Sequence, residues 1–282
     1  MRKDAYDIVT ERIIDIMNQG TVPWRKGWIG GGRPCNLVTG KPYRGINVFV
    51  LALSGYSSRY WLTFNQARKK GGSVKKGEKG TPVVFWKWLE KETEDPETGE
   101  KTTDRIPLLR YYTVFNLEQT HGIEDPELAE KSETSPIDAA QKIISNMPRR
   151  PAMVPGRPAY NAKADIVSLP AFKRFTCAEE FYSTAFHELA HSTGHGSRLG
   201  RKEVMEAAFF GDPQYSKEEL VAEMTAAYLC NEAGIAMQTV ENSAAYIQSW
   251  LKVFRDDRKM LVCAAAAAQK AADFILNIRF ED

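Results

Sequence analysis

The chain has 282 residues, 43% hydrophobic and 26% charged, a globular composition that excludes a disordered, collagen-like or fibrous protein and, at roughly 100–200 residues per domain, points to two domains. No stretch approaches 18 consecutive apolar residues, so no membrane span is expected. The net charge of +2 hides an asymmetry: residues 1–121 carry 20 Lys+Arg against 13 Asp+Glu, and residues 122–282 carry 18 against 23.

Taken in chain order, apolar Tyr6, Val9, Ile13, Ile16 and Met17 recur at helical spacing between Asp4 and Asn18, with Gly20 as a stop. Pro23 to Gly45, rich in Gly, Pro, Trp and basic residues, reads as loop with short strands. Ile46 to Leu53 is apolar and too short for its length to decide between strand and helix. Asn65 to Lys70 predicts a short helix closed by Gly71-Gly72. Thr81–Leu89 and Ile106–Asn116 predict a hairpin with a polar tip across Lys91–Asp104. The acidic stretch ending at residue 136 predicts a linker over 122–136, separating domains at 1–121 and 137–282. Beyond it the pattern predicts a helix over Ile137–Asn146 and a strand over Tyr160–Pro170. Helices follow over Cys177–Thr193, Lys217–Glu232 and Ser243–Ile278, the last with one break. The expected class is α+β: a small α+β domain followed by a mainly helical domain with a small sheet. Cys35, Cys177, Cys230 and Cys263 form no C-x-x-C pair and the N-terminus lacks a signal-peptide pattern, so the expected location is cytoplasmic.

His187-Glu188-Leu189-Ala190-His191 is an H-E-x-x-H motif. On a helix, started by a capping box at Thr176–Glu179, it places two imidazoles on one face for a Zn²⁺, with Glu188 beside them to take a proton from water. A catalytic zinc needs a third protein ligand. His195 is nearest, but the metzincin pattern wants a third His where Ser197 stands. Glu219 and Glu223 share a helix face at i,i+4 and offer one ligand and one acceptor for a ligand histidine's other N–H. Aspartates elsewhere are a third source. Tyr215 and Tyr228 are candidate oxyanion donors.

Within residues 16–89 there are 13 basic residues and one acid, Glu78, which points to a polyanion partner. Rings and cations alternate at Trp24-Arg25-Lys26-Gly27-Trp28 and Lys41-Pro42-Tyr43-Arg44. Trp61 and Phe64 lead into Arg68-Lys69-Lys70, then Lys75-Lys76 and Lys79. Cations for phosphates and rings for base stacking are the chemistry of single-strand binding. The competing reading puts Trp61, Phe64, Phe85 and Trp88 in the core and the lysines on a solvated face.

HELAHSTGHGSRLGR followed by YSKEELVAEMTAAYL resembles the zincin-like metallopeptidase domain of ArdC-type antirestriction proteins and related plasmid and phage proteins; DIVSLP and the tail from AAYIQSW fit the same domain. In the first half, PWRKGW, the run from Asn36 to Asn47 and YWLTFNQARKKGGSVKKGEKGTPVVFW resemble the same family's N-terminal domain. The resemblance implies that His187, His191 and Glu219 hold one Zn²⁺ or another divalent ion, with Glu188 as general base and Glu223 and His195 around the ligands. It implies single-stranded DNA binding, with Asn47 and Gln66 in the matching runs, and weaker binding of duplex. It also implies a protein substrate, a host restriction protein or one bound to DNA, and protection of incoming plasmid or phage DNA. The strand at Asp165–Leu169 resembles the zincin edge strand, which pairs with an extended peptide. Two rivals are a DNA-coating protein with an idle metal site and a DNA-dependent protease for DNA-bound proteins.

Overall fold

The computed structural model describes residues 3–25, 32–94, 101–126, 135–201, 213–235 and 244–278. Helix α1, Ala5–Asn18, starts at Asp4 through a reciprocal capping box with Asp7 and buries Val9, Ile13 and Met17. Strand β1 is Cys35–Asn36, α2 is Ile46–Ala52 and β2 is Tyr60–Leu62. The apolar run at Ile46 is therefore a helix, buried around nearly its whole circumference between the sheet and a C-terminal helix. Helix α3, Phe64–Lys69, is capped by Thr63 and Gln66. Strands β3 (Ser73–Val74), β4 (Thr81–Glu94), β5 (Lys101–Asn116) and β6 (Thr120–His121) complete the first half. The main sheet runs β1-β2-β5-β4, and β3 pairs with β6. Gly72 is required where these last two meet: a Cβ there would stand 2.5 Å from the His121 carbonyl oxygen.

Strand β4 is a sheet edge, and α2 covers part of it. Asn47 Nδ2 donates to the Val84 carbonyl at 2.7 Å while its Oδ1 accepts the Val84 N–H at 2.8 Å. One buried amide thus replaces a missing strand partner. Asn47→Ala would orphan both backbone groups at on the order of 1–3 kcal/mol each; a fall in the thermal midpoint by several degrees checks this, and an unchanged midpoint would refute it.

The second half contains α4 (Pro136–Asn146), β7 (Ala152–Pro155), β8 (Ala159–Asn161), β9 (Ile166–Leu169) and α5 (Ala178–Ser192). Helices α6 (Pro213–Ala233), α7 (Ala244–Asp256) and α8 (Met260–Ile275) follow. The chain is α+β in two domains, as its pattern predicts. Three local expectations change. The strand foreseen over Tyr160–Pro170 is two, because the chain turns at residues 162–165, with Asp165 at φ +52°. The sheet order is β7-β9-β8, so Ile166–Leu169 is the central strand and not an edge. The helix at the motif begins after Cys177, and Glu180, not Glu179, accepts from both the Thr176 N–H and hydroxyl.

One hydrophobic core runs through both halves, from Val9, Trp24 and Phe49 to Leu189, Met224, Leu251 and Ile275. A smaller core joins Tyr43, Leu51, Trp61, Val83 and Val114. Polar ties reinforce the junction. Arg33 Nη2 donates to Gln269 at 2.5 Å, Arg44 pairs with Asp273, and the Thr10 hydroxyl donates to the Arg258 carbonyl at 2.8 Å. Phe49 stacks on Tyr228 at 5.0 Å. Among the described residues no helix is long and apolar enough to cross a membrane.

Candidate metal centre and nucleic-acid surface

Helix α5 packs against α6 and carries His187 and His191 one turn apart on the face that meets it. The two Nε2 atoms lie 3.1 Å apart; Glu219 Oε1 is 3.3 Å from that of His191, and its Oε2 is 3.6 Å from that of His187. Among the described residues this is the group of three whose ligand atoms all fall within 4.8 Å of one another. Zinc–ligand bonds of about 2.0–2.1 Å at the tetrahedral angle place ligand atoms about 3.3–3.4 Å apart. The two imidazole nitrogens and the Glu219 carboxylate, with one oxygen near each nitrogen, are therefore spaced closely enough to hold a divalent ion between them, with room for a fourth position.

Electrostatics prepare the nitrogens differently. Burial, then the neighbouring His191, holds His187 well below the ordinary histidine range, and Arg25 acts in the same direction. Burial opposes the charged form of His191 too, but hydrogen bonds to Glu218 and Glu219 outweigh it and raise its proton affinity. An ion entering the site must displace that proton, so affinity falls as pH falls. Glu188 is buried beside the ligands, accepts the Tyr160 backbone N–H from β8, and is raised by desolvation.

The i,i+4 spacing nominates Glu223, and the family resemblance His195, as supports for the candidate ligands; the structure places neither against His187 or His191. Glu218 takes that place, with Oε1 3.3 Å from His191 Nδ1. Arg201 holds this carboxylate in a fork, Nε to Oε2 at 2.9 Å and Nη2 to Oε1 at 2.6 Å, and also reaches Thr193 and Ala190 at the end of α5. Glu223 instead accepts from Trp24 and Arg25. The His195 ring engages Ser197 in the turn after α5. Arg198 ties that turn to Asp165, which also accepts from the Tyr160 hydroxyl at 2.9 Å. Tyr228 is buried at the junction of the two halves near Arg33 and Asp273, not at the ligands. The side chain of Tyr215 lies outside the described residues. Because Glu218 fixes the His191 imidazole of this candidate site, Glu218→Gln is expected to weaken metal binding about 10–100-fold; calorimetric titration checks it, and an unchanged dissociation constant would refute the role.

The predicted nucleic-acid residues divide. Lys26 and Trp28 lie outside the described residues. Trp24 and Trp61 are 1% exposed and belong to the cores. Tyr43 and Asn47 are buried, and Gln66 caps α3 and bonds Asn36. Arg25 and Arg44 are in ion pairs with Glu223 and Asp273. Lys75 donates to the Glu118 carbonyl at 2.7 Å. Lys41, Phe64, Arg68, Lys69, Lys70, Lys76 and Lys79 are exposed.

A surface that the sequence reading passed over lies on the hairpin. Phe85 pairs in register with Arg110, and Val83 with Tyr112, so Phe85, Lys87, Arg110 and Tyr112 share one face of β4–β5. All four are exposed, and the two rings meet edge-on at 5.6 Å. The period-2 placement of rings and cations was visible in the sequence; the competing core reading of Phe85 obscured it. Unlike Trp61, at 1% exposure, these rings keep 41% and 37% of their surface open to solvent, and Tyr112 also shares a side-chain hydrogen bond with Tyr43.

Residues 3–115 match the N-terminal domain of anti-restriction factor ArdC, and residues 138–267 match a zincin-like metallopeptidase. Two crystal structures of the antirestriction ArdC protein from plasmid R388 align over nearly all of both chains. The metal-free form is 36% identical with a TM-score of 0.73, covering 97% of each chain. The Mn(II)-bound form is 34% identical at 0.74, covering 98% of each. The chain belongs to the ArdC antirestriction family. Another family-length relative, from Sinorhizobium fredii (strain NBRC 101917 / NGR234), is the uncharacterised protein y4eC, 30% identical over 96% of this chain and 91% of its own. Two Escherichia coli proteins described as DNA primase TraC are 37% and 34% identical over 98% of this chain. The ArdC-like chain spans only 27% and 20% of their lengths. A bound Mn(II) in one ArdC structure accords with a zincin-like domain built for a divalent ion.

Proposed function

We propose that this chain is an antirestriction protein of a mobile genetic element that binds single-stranded DNA and, with one Zn²⁺, hydrolyses peptide bonds in a host restriction protein or another DNA-bound protein. The observation that carries the reading is the triangle of His187, His191 and Glu219 with the buried carboxylate of Glu188 beside it.

When bound, the ion would polarise a scissile carbonyl and acidify a water at its open position. His187 and His191 would hold it through Nε2 and Glu219 through its carboxylate. Glu188, whose proton affinity is raised by burial, would take the water's proton and return it to the leaving amine. The Tyr160 N–H steadies that carboxylate, so β8 adjoins the chemistry, and an extended substrate would run near β8 and not along the central β9. Glu218, braced by Arg201, would keep His191 oriented.

The hairpin face supports the DNA half of the reading. Phe85 and Tyr112 offer ring surfaces to bases, and Lys87 and Arg110 offer charge to phosphates. The occurrence of the same module within proteins described as primases fits one that accompanies single-stranded templates. The test is binding of single- and double-stranded oligonucleotides to the full chain across salt, followed by cleavage of a protein bound to the preferred strand with Zn²⁺ present. Tighter single-strand binding with a salt slope, and cleavage that needs the ion, are expected. No binding, or no cleavage under any loading, would overturn the corresponding half.

A further inference from the structure

Glu223 lies one helical turn beyond Glu219 on α6, and its partners come from elsewhere. Trp24 Nε1 donates to Oε2 at 2.6 Å and Arg25 Nη2 to Oε1 at 2.9 Å. The Tyr246 hydroxyl on α7 also donates to Oε2. Trp24 and Arg25 form a 3-10 turn, Pro23–Arg25, in the segment that matches the N-terminal domain. The Trp24 ring is buried, edge-on to Trp250 at 6.1 Å and Phe254 at 6.0 Å. The Arg25 guanidinium lies 3.9 Å over the Tyr246 ring. Both donors are thus fixed by their own surroundings before they reach the carboxylate.

We propose that Trp24 and Arg25 are positioning residues of the metal centre: by saturating Glu223 they fix the turn of α6 that presents Glu219. The inference rests on His187, His191 and Glu219 being the ligands. Residues four apart on a helix stand on one face, about 6 Å along the axis, so a displacement at Glu223 is carried to Glu219 through a rigid segment. A metal site tolerates only about 0.5 Å of misplacement in its ligands. Glu223 is largely buried, with its side chain 16% exposed. Stripped of Arg25, this carboxylate would lose a charged partner and turn toward water, taking its turn of helix with it. The metal-binding capacity of one domain therefore depends on two residues of the other.

The test uses the full chain. Trp24→Phe keeps a ring and removes the N–H donor; Arg25→Ala removes the ion pair, and Arg25→Lys restores a charge. Zn²⁺ dissociation constants by calorimetry and the visible absorption of the Co²⁺-loaded protein are measured beside the metal-free melting temperature. Trp24→Phe and Arg25→Ala are expected to weaken Zn²⁺ binding roughly tenfold or more and to shift the Co²⁺ bands, with Arg25→Lys recovering part of both. A purely structural role would lower the melting temperature and leave the Co²⁺ bands in place. If the wild type takes up one ion and both variants match its affinity and spectrum, this inference falls and the metal reading stands. If the wild type takes up none, the metal reading itself fails.

Discussion

Glu188→Gln is expected to leave one metal ion bound and to reduce peptide hydrolysis about 10²–10⁴-fold, the usual worth of a general base. Glu188 is not among the three candidate donors, so the donor triangle survives the change. The amide is isosteric, its oxygen can still accept the Tyr160 N–H, and it removes a buried charge instead of creating one. What disappears is the ability to hold a proton. Metal content by elemental analysis, the melting temperature and cleavage of an unfolded protein substrate are the measurements. Retained metal with lost cleavage supports the assignment; retained cleavage would remove Glu188 from the chemistry and return the site to a binding role.

The second large effect is on DNA. Phe85→Ala with Tyr112→Ala should lower single-strand affinity by about 2–6 kcal/mol, taking about 1–3 kcal/mol per stacked base. The fold should tolerate the loss, because both rings are exposed, at 41% and 37%. Lys87→Ala or Arg110→Ala should instead reduce the salt slope by about 0.7 for each phosphate contact removed. Trp61→Ala makes the contrast: at 1% exposure within the smaller core, its loss costs stability, about 3–5 kcal/mol. Fluorescence anisotropy with a labelled oligonucleotide separates these outcomes. Wild-type affinity in the double-ring variant would move the DNA surface elsewhere, to the exposed cations of α3 and its following turn.

The meeting of His187 and His191 was legible because H-E-x-x-H needs only helical spacing, a local property, to bring two imidazoles together. Glu219 needed the family resemblance as well. Glu218 and Arg201 were not legible. Their meeting with His191 depends on how α5 crosses α6, and the i,i+4 logic that singled out Glu223 applies within one helix. The same logic did place Glu219 and Glu223 on one face; in the structure this face spans the His187–His191–Glu219 cluster and a docking point for Trp24 and Arg25. The charge excess of the first half points by composition to a polyanion partner or to a solvated face. Part of it is neutralised within the molecule, as Arg25 meets Glu223 and Arg44 meets Asp273. The acidic second half is thus one partner of the basic first half. Composition counts charges without saying which face solvent. The helix at Ile46–Ala52 illustrates the remaining limit: a run buried on nearly every side has no polar face from which to read a period.

Survival of incoming unmodified DNA in a restricting host bears most directly on the proposed role. Cells producing the wild-type chain are expected to yield more survivors than cells with an empty vector. Glu188→Gln and the Phe85→Ala, Tyr112→Ala pair should each return survival to the vector level. Equal survival with and without the wild-type protein would contradict antirestriction by this chain, and full protection by Glu188→Gln would show that DNA binding suffices without peptide hydrolysis.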